Sequence, residues 1–240
     1  MQTHMLLPLI AGAAAAVTAG YNTMAPRSQL YGRTFIGEEP GSRRLALTFD
    51  DGPNDPHTLR LLDVLARHNV RATFFMLGSF VDKRPDIARA VASAGHAIGN
   101  HTATHPNLIF RHARDVRHEI EQCERALDQA GAPHARLFRP PHGGRTPAVL
   151  RTVRSLGFEP VMWSVSGWDW NPYTPERIAQ TVHKQLRGGD VILLHDGSHQ
   201  RMGMDRSASV RATDLILQRY LGEGYVFVTI PQMIRAPQTN

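Results

Sequence analysis

Short apolar runs alternate with amphipathic helical patterns along most of this chain, and this alternation restricts the fold more than any other feature. Seven runs have the length and composition of buried strands. They cover residues 45–49, 72–77, 97–100, 137–139, 161–165, 191–195 and 225–230. When strands alternate with helices, consecutive strands run parallel and their connections are right-handed. The sequence therefore predicts an α/β fold whose strands close into an irregular barrel or stay an open sheet.

Helical patterns separate these strands, and residues typical of helix boundaries stand at their ends. The predicted helices cover residues 57–68, 85–94, 113–129, 147–156, 175–186 and 212–220. Proline opens three of them, where a first helical turn accepts it, and glycine closes three, where a helix end needs it. We find no repeat and no linker after residue 43. The sequence therefore predicts a single domain over residues 43–235.

Residues 1–42 form an N-terminal extension in this scheme. Residues 5–20 are apolar and rich in alanine, like the hydrophobic region of a signal peptide, with cleavage options around residues 14–16. No basic segment precedes them, and the run is shorter than the ~20 residues of a membrane-spanning helix. We expect export to the cell envelope or a membrane tether. The alternative is a helix packed on the domain of a cytoplasmic protein.

Composition narrows the choice of partners. The hydrophobic fraction of 42% suits a sizeable core. The net charge of +6 is compatible with anionic polymers such as cell-wall material, although ordinary solubilising charge explains it more simply. Because no Lys/Arg block with interleaved aromatic residues occurs, we expect no nucleic acid partner. The single cysteine, Cys123, excludes an intrachain disulfide, and we expect a monomer.

Two adjacent carboxylates, Asp50 and Asp51, follow the first predicted strand. Successive side chains on an extended backbone point in different directions, so one carboxylate can bind a metal ion while the other faces the substrate. An Asp-Gly turn without a function would have the same sequence. The position of this pair directly after Phe49, at the end of a buried strand, favours the functional interpretation.

Two histidines, His101 and His105, lie four residues apart. This spacing places both imidazoles on one side of a helical turn and is a known zinc-binding arrangement. Spacing alone is weak evidence in a chain with 13 histidines. One carboxylate plus two imidazoles is nevertheless a common open ligand set for Zn²⁺, and Co²⁺ or Ni²⁺ suit the same donors.

Four candidate residues share one position in the predicted fold. Asp50, His101, Arg139 and His195 each lie at or just past the carboxyl end of a predicted strand. Catalytic residues of α/β barrels lie at that face, on loops from different strands. Because chance would not place all four there, the sequence predicts one shared site.

These residues can carry out a metal-assisted hydrolysis. A divalent ion activates water and polarises a carbonyl, and the reaction also needs a base and an acid. Asp50 is the candidate base, and His195 is the candidate acid because imidazole can be protonated near neutral pH. Arg139 can pair with a carboxylate and fix its orientation. A purely structural salt bridge would account for Arg139 equally well.

Five ordered motifs resemble the polysaccharide deacetylases, the NodB-type carbohydrate esterases. They are T-F-D-D-G-P at 48–53, H-T-x-T-H at 101–105, R-P-P-x-G at 139–143, D-W at 169–170 and L-L-H at 193–195. The resemblance covers about residues 43–230. It implies a distorted (β/α)7 barrel in one domain. It also implies metal-dependent removal of N- or O-acetyl groups from a sugar polymer such as peptidoglycan, a chitin-like oligosaccharide or xylan.

The resemblance assigns the metal and the base residue by residue. Asp50 would be the base, and Arg139 would orient it. Asp51, His101 and His105 would hold one divalent ion, usually zinc in this family.

The resemblance also assigns the acid and the substrate contacts. His195 would be the acid, and Asp169 would tune it. The backbone N–H of His142 would help to hold the oxyanion, and Trp170 and Leu193 would line the acetyl pocket.

Two departures from the family pattern concern the rim of the site. His142 stands where the family often has tyrosine, and Ser166 stands where many relatives have a further aspartate. Both changes affect substrate contacts more than the chemistry. Trp163, Trp168 and Trp170 are candidates to stack on sugar faces, although core packing would also explain Trp163 within its strand.

Two other functions remain open at this point. The same fold could hydrolyse a small non-sugar amide, because fold does not fix substrate. A non-catalytic carbohydrate-binding protein would require the loss of a ligand, the base or the acid, and none is lost here. Acetate release from acetylated oligosaccharides, compared with release from small amides, separates a polysaccharide deacetylase from a hydrolase of small amides.

Overall fold

Eight short strands form one sheet among residues 17–235, which are the residues that the computed structural model describes. They are β1 (Arg44–Gly52), β2 (Thr73–Met76), β3 (Ala97–Asn100), β4 (Leu137–Phe138), β5 (Glu159–Pro160), β6 (Val165–Ser166), β7 (Val191–His195) and β8 (Val226–Phe227). Their order is β5-β4-β3-β2-β1-β7-β6, with β8 paired to β1. Every pair of these strands is parallel, as the alternating pattern predicts.

The sheet curls into a distorted barrel because its two edges are consecutive in sequence. β5 lies at one edge and β6 at the other, and only residues 161–164 separate them. This is also the main local difference from the sequence prediction. The run predicted as one strand over residues 161–165 is instead the interval between β5 and the start of β6, so the barrel has a seam there.

Residues 35–38 cover part of this seam. The N–H of Phe35 donates to the Pro160 carbonyl at 2.9 Å, and the N–H of Met162 donates to the Phe35 carbonyl at 2.8 Å. Next along the chain, the N–H of Glu38 donates to the Gly189 carbonyl at 2.7 Å, just before β7. The domain boundary predicted at residue 43 stays a prediction, but these earlier residues already bond to the barrel.

Helices pack around the outside of the sheet. They are α1 (His57–Arg67), α2 (Gly78–Val81), α3 (Pro85–Ser93), α4 (Ala113–Gln129), α5 (Pro147–Ser155), α6 (Pro175–Gln185), α7 (Ser207–Gly222) and α8 (Ile230–Arg235). The predicted first-turn prolines open α3, α5 and α6. Thr146 and Thr174 cap the last two of these, since each side chain accepts an N–H from the first turn. The short helices α2 and α8 are absent from the sequence prediction.

Alternation along β1 divides the core into two parts. Leu45, Leu47 and Phe49 face outward and pack with the helices. Ala46 faces the barrel interior, where it belongs to a second cluster with Phe75, and Thr48 and Asp50 follow it on the same side of the strand. One strand therefore supplies both the apolar packing against the helices and the first polar groups of the interior.

The N-terminal segment predicted as a signal or anchor, residues 5–20, lies mostly outside the described residues. Residues 17–24 are helical, and Val17 and Tyr21 on them are exposed. Among residues 17–235, no helix is both long and apolar enough to span a lipid bilayer.

Strand register brings the predicted site residues to one edge of the barrel. Asp50 on β1 pairs with His195 on β7. Asn100, the residue before His101, pairs with Phe138, the residue before Arg139. Because all these strands are parallel, their carboxyl ends open on the same face.

Candidate active site

The end of β1 presents its two carboxylates in different directions. Asp50 continues the inward face of the strand and is 3% exposed. Asp51 has a φ of 71°, a left-handed conformation that turns its side chain away from the strand pattern. Both carboxylates are therefore buried at the mouth of the barrel without lying side by side.

Arg139 holds Asp50 in place from inside the barrel. Its Nη1 donates to Asp50 Oδ1 at 2.7 Å and to Thr48 Oγ1 at 2.8 Å. Its Nη2 donates to the Met162 carbonyl at 3.1 Å, and its guanidinium lies 4.1 Å from the centre of the Phe75 ring. Arg139 is fully buried, so the ion pair is shielded from water. One oxygen of Asp50 is thereby fixed, and Oδ2 is left free.

Asp51, His101 and His105 converge beside Asp50. Asp51 Oδ1 lies 3.6 Å from His101 Nε2 and 3.4 Å from His105 Nε2. All three residues are buried, and Asp51 Oδ1 has no hydrogen-bond partner among the described residues. A buried oxygen without a partner normally carries a large cost, and a cation between these three donors would remove it.

The donor set fits a divalent ion. His101 Nδ1 lies 2.8 Å from the Arg139 carbonyl, which only a protonated nitrogen can satisfy, so in the tautomer that binds a metal ion Nε2 carries the lone pair. Asp51 Oδ2 accepts the N–H of His199 at 3.1 Å, which leaves Oδ1 directed at the imidazoles. One carboxylate oxygen and two imidazole nitrogens form a candidate site of the open, three-ligand type.

Electrostatic interactions keep Asp51 and His105 in the protonation states that bind a cation. Burial opposes the ionisation of Asp51, but the His199 side chain and the nearby His195 outweigh it and hold the pKa of Asp51 well below its usual value. Burial, together with the neighbouring His101, lowers the pKa of His105 to about 2. At neutral pH the carboxylate is therefore charged and the His105 imidazole neutral.

His195 lies on the other side of the pocket with Asp169 behind it. The Nδ1 atom of His195 is 2.9 Å from Asp169 Oδ1, and the His195 backbone N–H donates to Asp169 Oδ2 at 2.7 Å. Ser209 Oγ also donates to Asp169 Oδ2, at 2.7 Å. Trp170 packs edge-to-face on the His195 ring, with 5.5 Å between centroids. The ring is therefore held by its Nδ1 atom, and Nε2 is left for the pocket.

Asp169 sets the charge of His195. Burial alone would lower the pKa of the imidazole, but the carboxylate of Asp169 outweighs it and raises the pKa to about 9. The same contact works in reverse, because burial would raise the pKa of Asp169, and the His195 charge with its hydrogen bonds lowers it. Asp169 and His195 thus form a buried ion pair whose cation stays protonated at neutral pH.

These groups line a cavity of about 460 Å³. Its walls include the predicted rim and acetyl-pocket residues His142, Leu193 and Trp170. Trp163 also lines it, whereas Trp168 projects to solvent and is half exposed. All ten residues predicted for the site therefore lie in or directly behind one pocket, while their individual roles stay predictions.

Unusual backbone conformations concentrate around this pocket. Six described non-glycine residues have a positive φ; four belong to the motifs of the site, Asp51, Thr102, His105 and His142, and a fifth, Trp168, directly precedes the D-W motif. Such conformations carry a cost of about 1–3 kcal/mol for most residues and persist where the surroundings hold them. The surrounding fold therefore holds these residues in strained backbone conformations, which set the directions of their side chains.

Two neighbours of the pocket have no signal in the sequence. His199 lies in the loop after β7, and its ring stacks on that of His105 with centroids 4.2 Å apart. Asp196 is buried under the turn at Gly52, and Thr58 is its side-chain hydrogen-bond partner. Both contacts join residues that are far apart in sequence, so spacing could not reveal them.

A parallel (β/α) barrel with an Arg-held carboxylate, an Asp-His-His set and an Asp-held imidazole at the carboxyl ends of its strands defines a hydrolase. The family model described as polysaccharide deacetylase matches residues 37–161. The chain belongs to this family, and its family function, the hydrolytic removal of acetyl groups from carbohydrate, confirms the function predicted from the motifs.

Relatives and solved structures agree with this assignment. A chitooligosaccharide deacetylase of Bradyrhizobium sp. is 37% identical over 84% of this chain and 95% of its own length. A peptidoglycan-N-acetylglucosamine deacetylase of Bacillus cereus is 37% identical over 80% of this chain and 68% of its own. The crystal structure of the Bc1960 peptidoglycan N-acetylglucosamine deacetylase superposes with a TM-score of 0.77 at 33% identity, over 86% of this chain and 95% of that one.

Proposed function

We propose that this protein removes N-acetyl groups from glycans that contain N-acetylglucosamine, with one divalent ion, Zn²⁺, held by Asp51, His101 and His105. The observation that carries the proposal is the geometry of the pocket. A carboxylate locked through one oxygen and an imidazole locked through one nitrogen both border the candidate metal set. The substrate class is supported by the names of the two relatives, both of which describe enzymes acting on such glycans.

The ion would supply Lewis-acid chemistry, polarising the acetyl carbonyl and activating the attacking water. Three protein ligands leave positions open for these oxygens. Two imidazoles and one carboxylate do not separate Zn²⁺ from Co²⁺ or Ni²⁺, so availability would decide among them.

Asp50 is the proposed base, and the atom involved is Oδ2. Oδ1 already accepts a charge-assisted hydrogen bond from Arg139. Oδ2 lies 3.7 Å from His101 Nε2, so it borders the candidate metal set. Water adds to the acetyl carbon, and its proton passes to Asp50 Oδ2.

His195 is the proposed acid, and its Nε2 is the donating atom. The C–N bond breaks as the amine nitrogen takes this proton, which leaves the free amino sugar and acetic acid, and the acid releases its own proton to the solvent as acetate. The proton held by Asp50 then returns to the solvent, and His195 takes up another. A pKa raised to about 9 keeps His195 ready to donate at neutral pH.

The remaining wall residues would position the acetyl group. His142 lines the pocket with a φ of 56°, and its backbone N–H would stabilise the oxyanion there. Leu193 and Trp170 give the pocket an apolar side that suits the acetyl methyl group. Trp170 is half exposed, so its outer face is free to stack on a sugar ring.

A substrate panel tests the proposal. Acetate release would be measured on N-acetylated chitooligosaccharides, on peptidoglycan, on acetylated xylan and on small non-sugar amides. We expect the first two to be hydrolysed, activity to be lost on chelation, and Zn²⁺ to restore it. Preference for a small amide, or full activity after verified removal of all metal, would contradict it.

We also propose that the protein acts at the cell envelope, as an exported or membrane-tethered monomer. The support is the apolar composition of residues 5–20 and the extracytoplasmic position of glycan polymers. Cell fractionation of the tagged full chain tests the location, and a cytoplasmic pool alone would contradict it.

A further inference from the structure

Three imidazoles face one another at the mouth of the pocket. The His105 ring stacks on His199 with 4.2 Å between centroids, and His142 packs edge-on against both, at 4.5 Å from His105 and 5.3 Å from His199. One ring nitrogen from each residue lies within 4.8 Å of the other two. Three ring nitrogens this close to one another can act as ligands of one cation.

His105 belongs to two possible donor sets. With Asp51 and His101 it forms the buried inner set, and with His142 and His199 it forms a second, outer set. His105 Nδ1 is buried without a hydrogen-bond partner among the described residues, so this ring has an unused nitrogen. The two sets cannot be independent, because they share a residue.

Exposure falls from the outer set to the inner one. The His199 side chain is 38% exposed, and His142 is also exposed, whereas the side chains of the inner set are at most 5% exposed. The two sets are also linked directly, since the His199 backbone N–H donates to Asp51 Oδ2 at 3.1 Å. An ion arriving from solvent therefore meets the outer imidazoles first.

The donors differ in strength. Three imidazoles suit borderline ions such as Zn²⁺, Co²⁺ and Ni²⁺. The inner set adds the negative charge of Asp51, which attracts a divalent ion more strongly in a buried place. The outer set is therefore expected to bind the same ion more weakly than the inner set.

We propose that His105, His142 and His199 form an outer metal site, which captures a divalent ion from solvent and passes it to Asp51 and His101 through their shared ligand His105. The inference deepens the proposed function, since it rests on the inner set being the resident metal site. His142, one of the two residues that depart from the family pattern, acquires a role in this way.

The first test separates the two sets at equilibrium. The variant Asp51→Ala/His101→Ala leaves the outer set complete, and we expect it to bind one Zn²⁺ per chain, more weakly than the wild type. Adding His199→Ala or His142→Ala lowers the remaining affinity by at least about 10-fold, because even a residue outside the ligand set costs that much at metal sites. Adding His112→Ala, a change at an exposed histidine just before α4 that does not line the pocket, serves as control.

A folded double variant that binds no Zn²⁺, or one that is insensitive to both histidine changes, overturns the outer site. The wild type is titrated alongside. Absence of Zn²⁺ binding there would contradict the metal in the proposed function, and the result for the double variant would still report on the outer set alone.

The second test keeps the inner set intact, in case the double variant does not fold. Zn²⁺ uptake by metal-free protein would be followed in time for the wild type, His142→Ala, His199→Ala and the His112→Ala control. We expect severalfold slower uptake in the two outer variants with the same final occupancy. Uptake as fast as in the wild type would overturn the transfer step.

Discussion

His105 is buried and His195 largely buried, each beside an aspartate, yet the two histidines reach opposite charge states. The His105 Nε2 atom is 3.4 Å from an Asp51 oxygen, no hydrogen bond joins them, and burial lowers the pKa of His105 to about 2. The His195 Nδ1 atom is 2.9 Å from Asp169, and its pKa rises to about 9. The first ring is an electron-pair donor and the second a proton donor.

The contrast shows that the hydrogen bond, and not the residue pair, decides the chemistry. Burial acts on both rings in the same direction. At His195 the carboxylate of Asp169, whose Oδ1 pairs with the ring at hydrogen-bond distance, reverses the effect. At His105 the carboxylate is shared among several histidines and directs its free oxygen at the space where a cation would lie.

The largest effect is expected at Asp50, which lies between the two regions. Asp50→Asn keeps the shape and the Arg139 contact but removes the proton acceptor, and general-base catalysis contributes about 10²–10⁴-fold. We expect metal content to be retained and acetate release to fall by that range. Asp63→Asn, an exposed position on α1, is the control. Near-normal turnover would remove Asp50 from the role of base.

The next largest effect is expected when a candidate metal ligand is removed. Asp51→Ala, His101→Ala and His105→Ala each remove a donor, and we expect Zn²⁺ affinity to fall at least about 100-fold, since changes merely adjacent to metal ligands cost 10–100-fold. Metal content of the purified variants, by plasma emission, is the measurement. Full occupancy in all three would show that the ion binds elsewhere.

Removing the charge of Asp169 beside His195 should change the pH dependence of activity and leave the metal content unchanged. If His195 must be protonated, activity falls as pH rises through its pKa, which Asp169 holds near 9. Asp169→Asn removes the charge that favours the protonated form, so the alkaline limb of the rate profile moves to lower pH. Coupled groups give macroscopic values, so only the direction is predicted. An unmoved limb with unchanged metal would mean that Asp169 does not tune His195.

The smallest effect is expected at Asp196. Unlike Asp169, this carboxyl has no cation at hydrogen-bond distance among the described residues. Burial raises the pKa of Asp196 to about 7. Between its unfolded value near 4 and 7, the folded protein keeps a proton that the unfolded chain has released, so this group's contribution to stability is lost as pH rises through that window.

Asp196→Asn removes this dependence. We expect the thermal midpoint of the variant, relative to wild type and measured on metal-free protein, to be higher at pH 8 than at pH 5. The exposed variant Asp63→Asn should show no such trend. An equal difference at both pH values would mean that Asp196 is already ionised in the fold.

The sequence predicts those parts of the site that depend on strand ends. Asp50, His101, Arg139 and His195 follow buried runs, and parallel pairing is enough to bring them to one face. The helix boundaries at proline were predictable for the same local reason.

What escaped prediction depends on contacts between distant segments. The break between β5 and β6 follows from barrel closure, which no local pattern encodes. His199 reaches Asp51 across the barrel mouth through an unpatterned loop. The left-handed conformations at His142 and Trp168 are imposed by the surrounding fold on residues that rarely choose them.

The backbone hydrogen bonds of residues 35–38 across the barrel seam affect where the domain can be truncated or fused to another chain. Phe35 holds the backbone of Met162, whose carbonyl accepts a hydrogen bond from Arg139, and Arg139 in turn holds Asp50. A truncated form that starts at residue 39 would keep all the catalytic motifs and every strand. It would nevertheless lose the Phe35 end of this chain of contacts, so we expect the truncation to disturb the position of Asp50, the proposed base. Grafts and fusions that preserve Phe35 should keep that link.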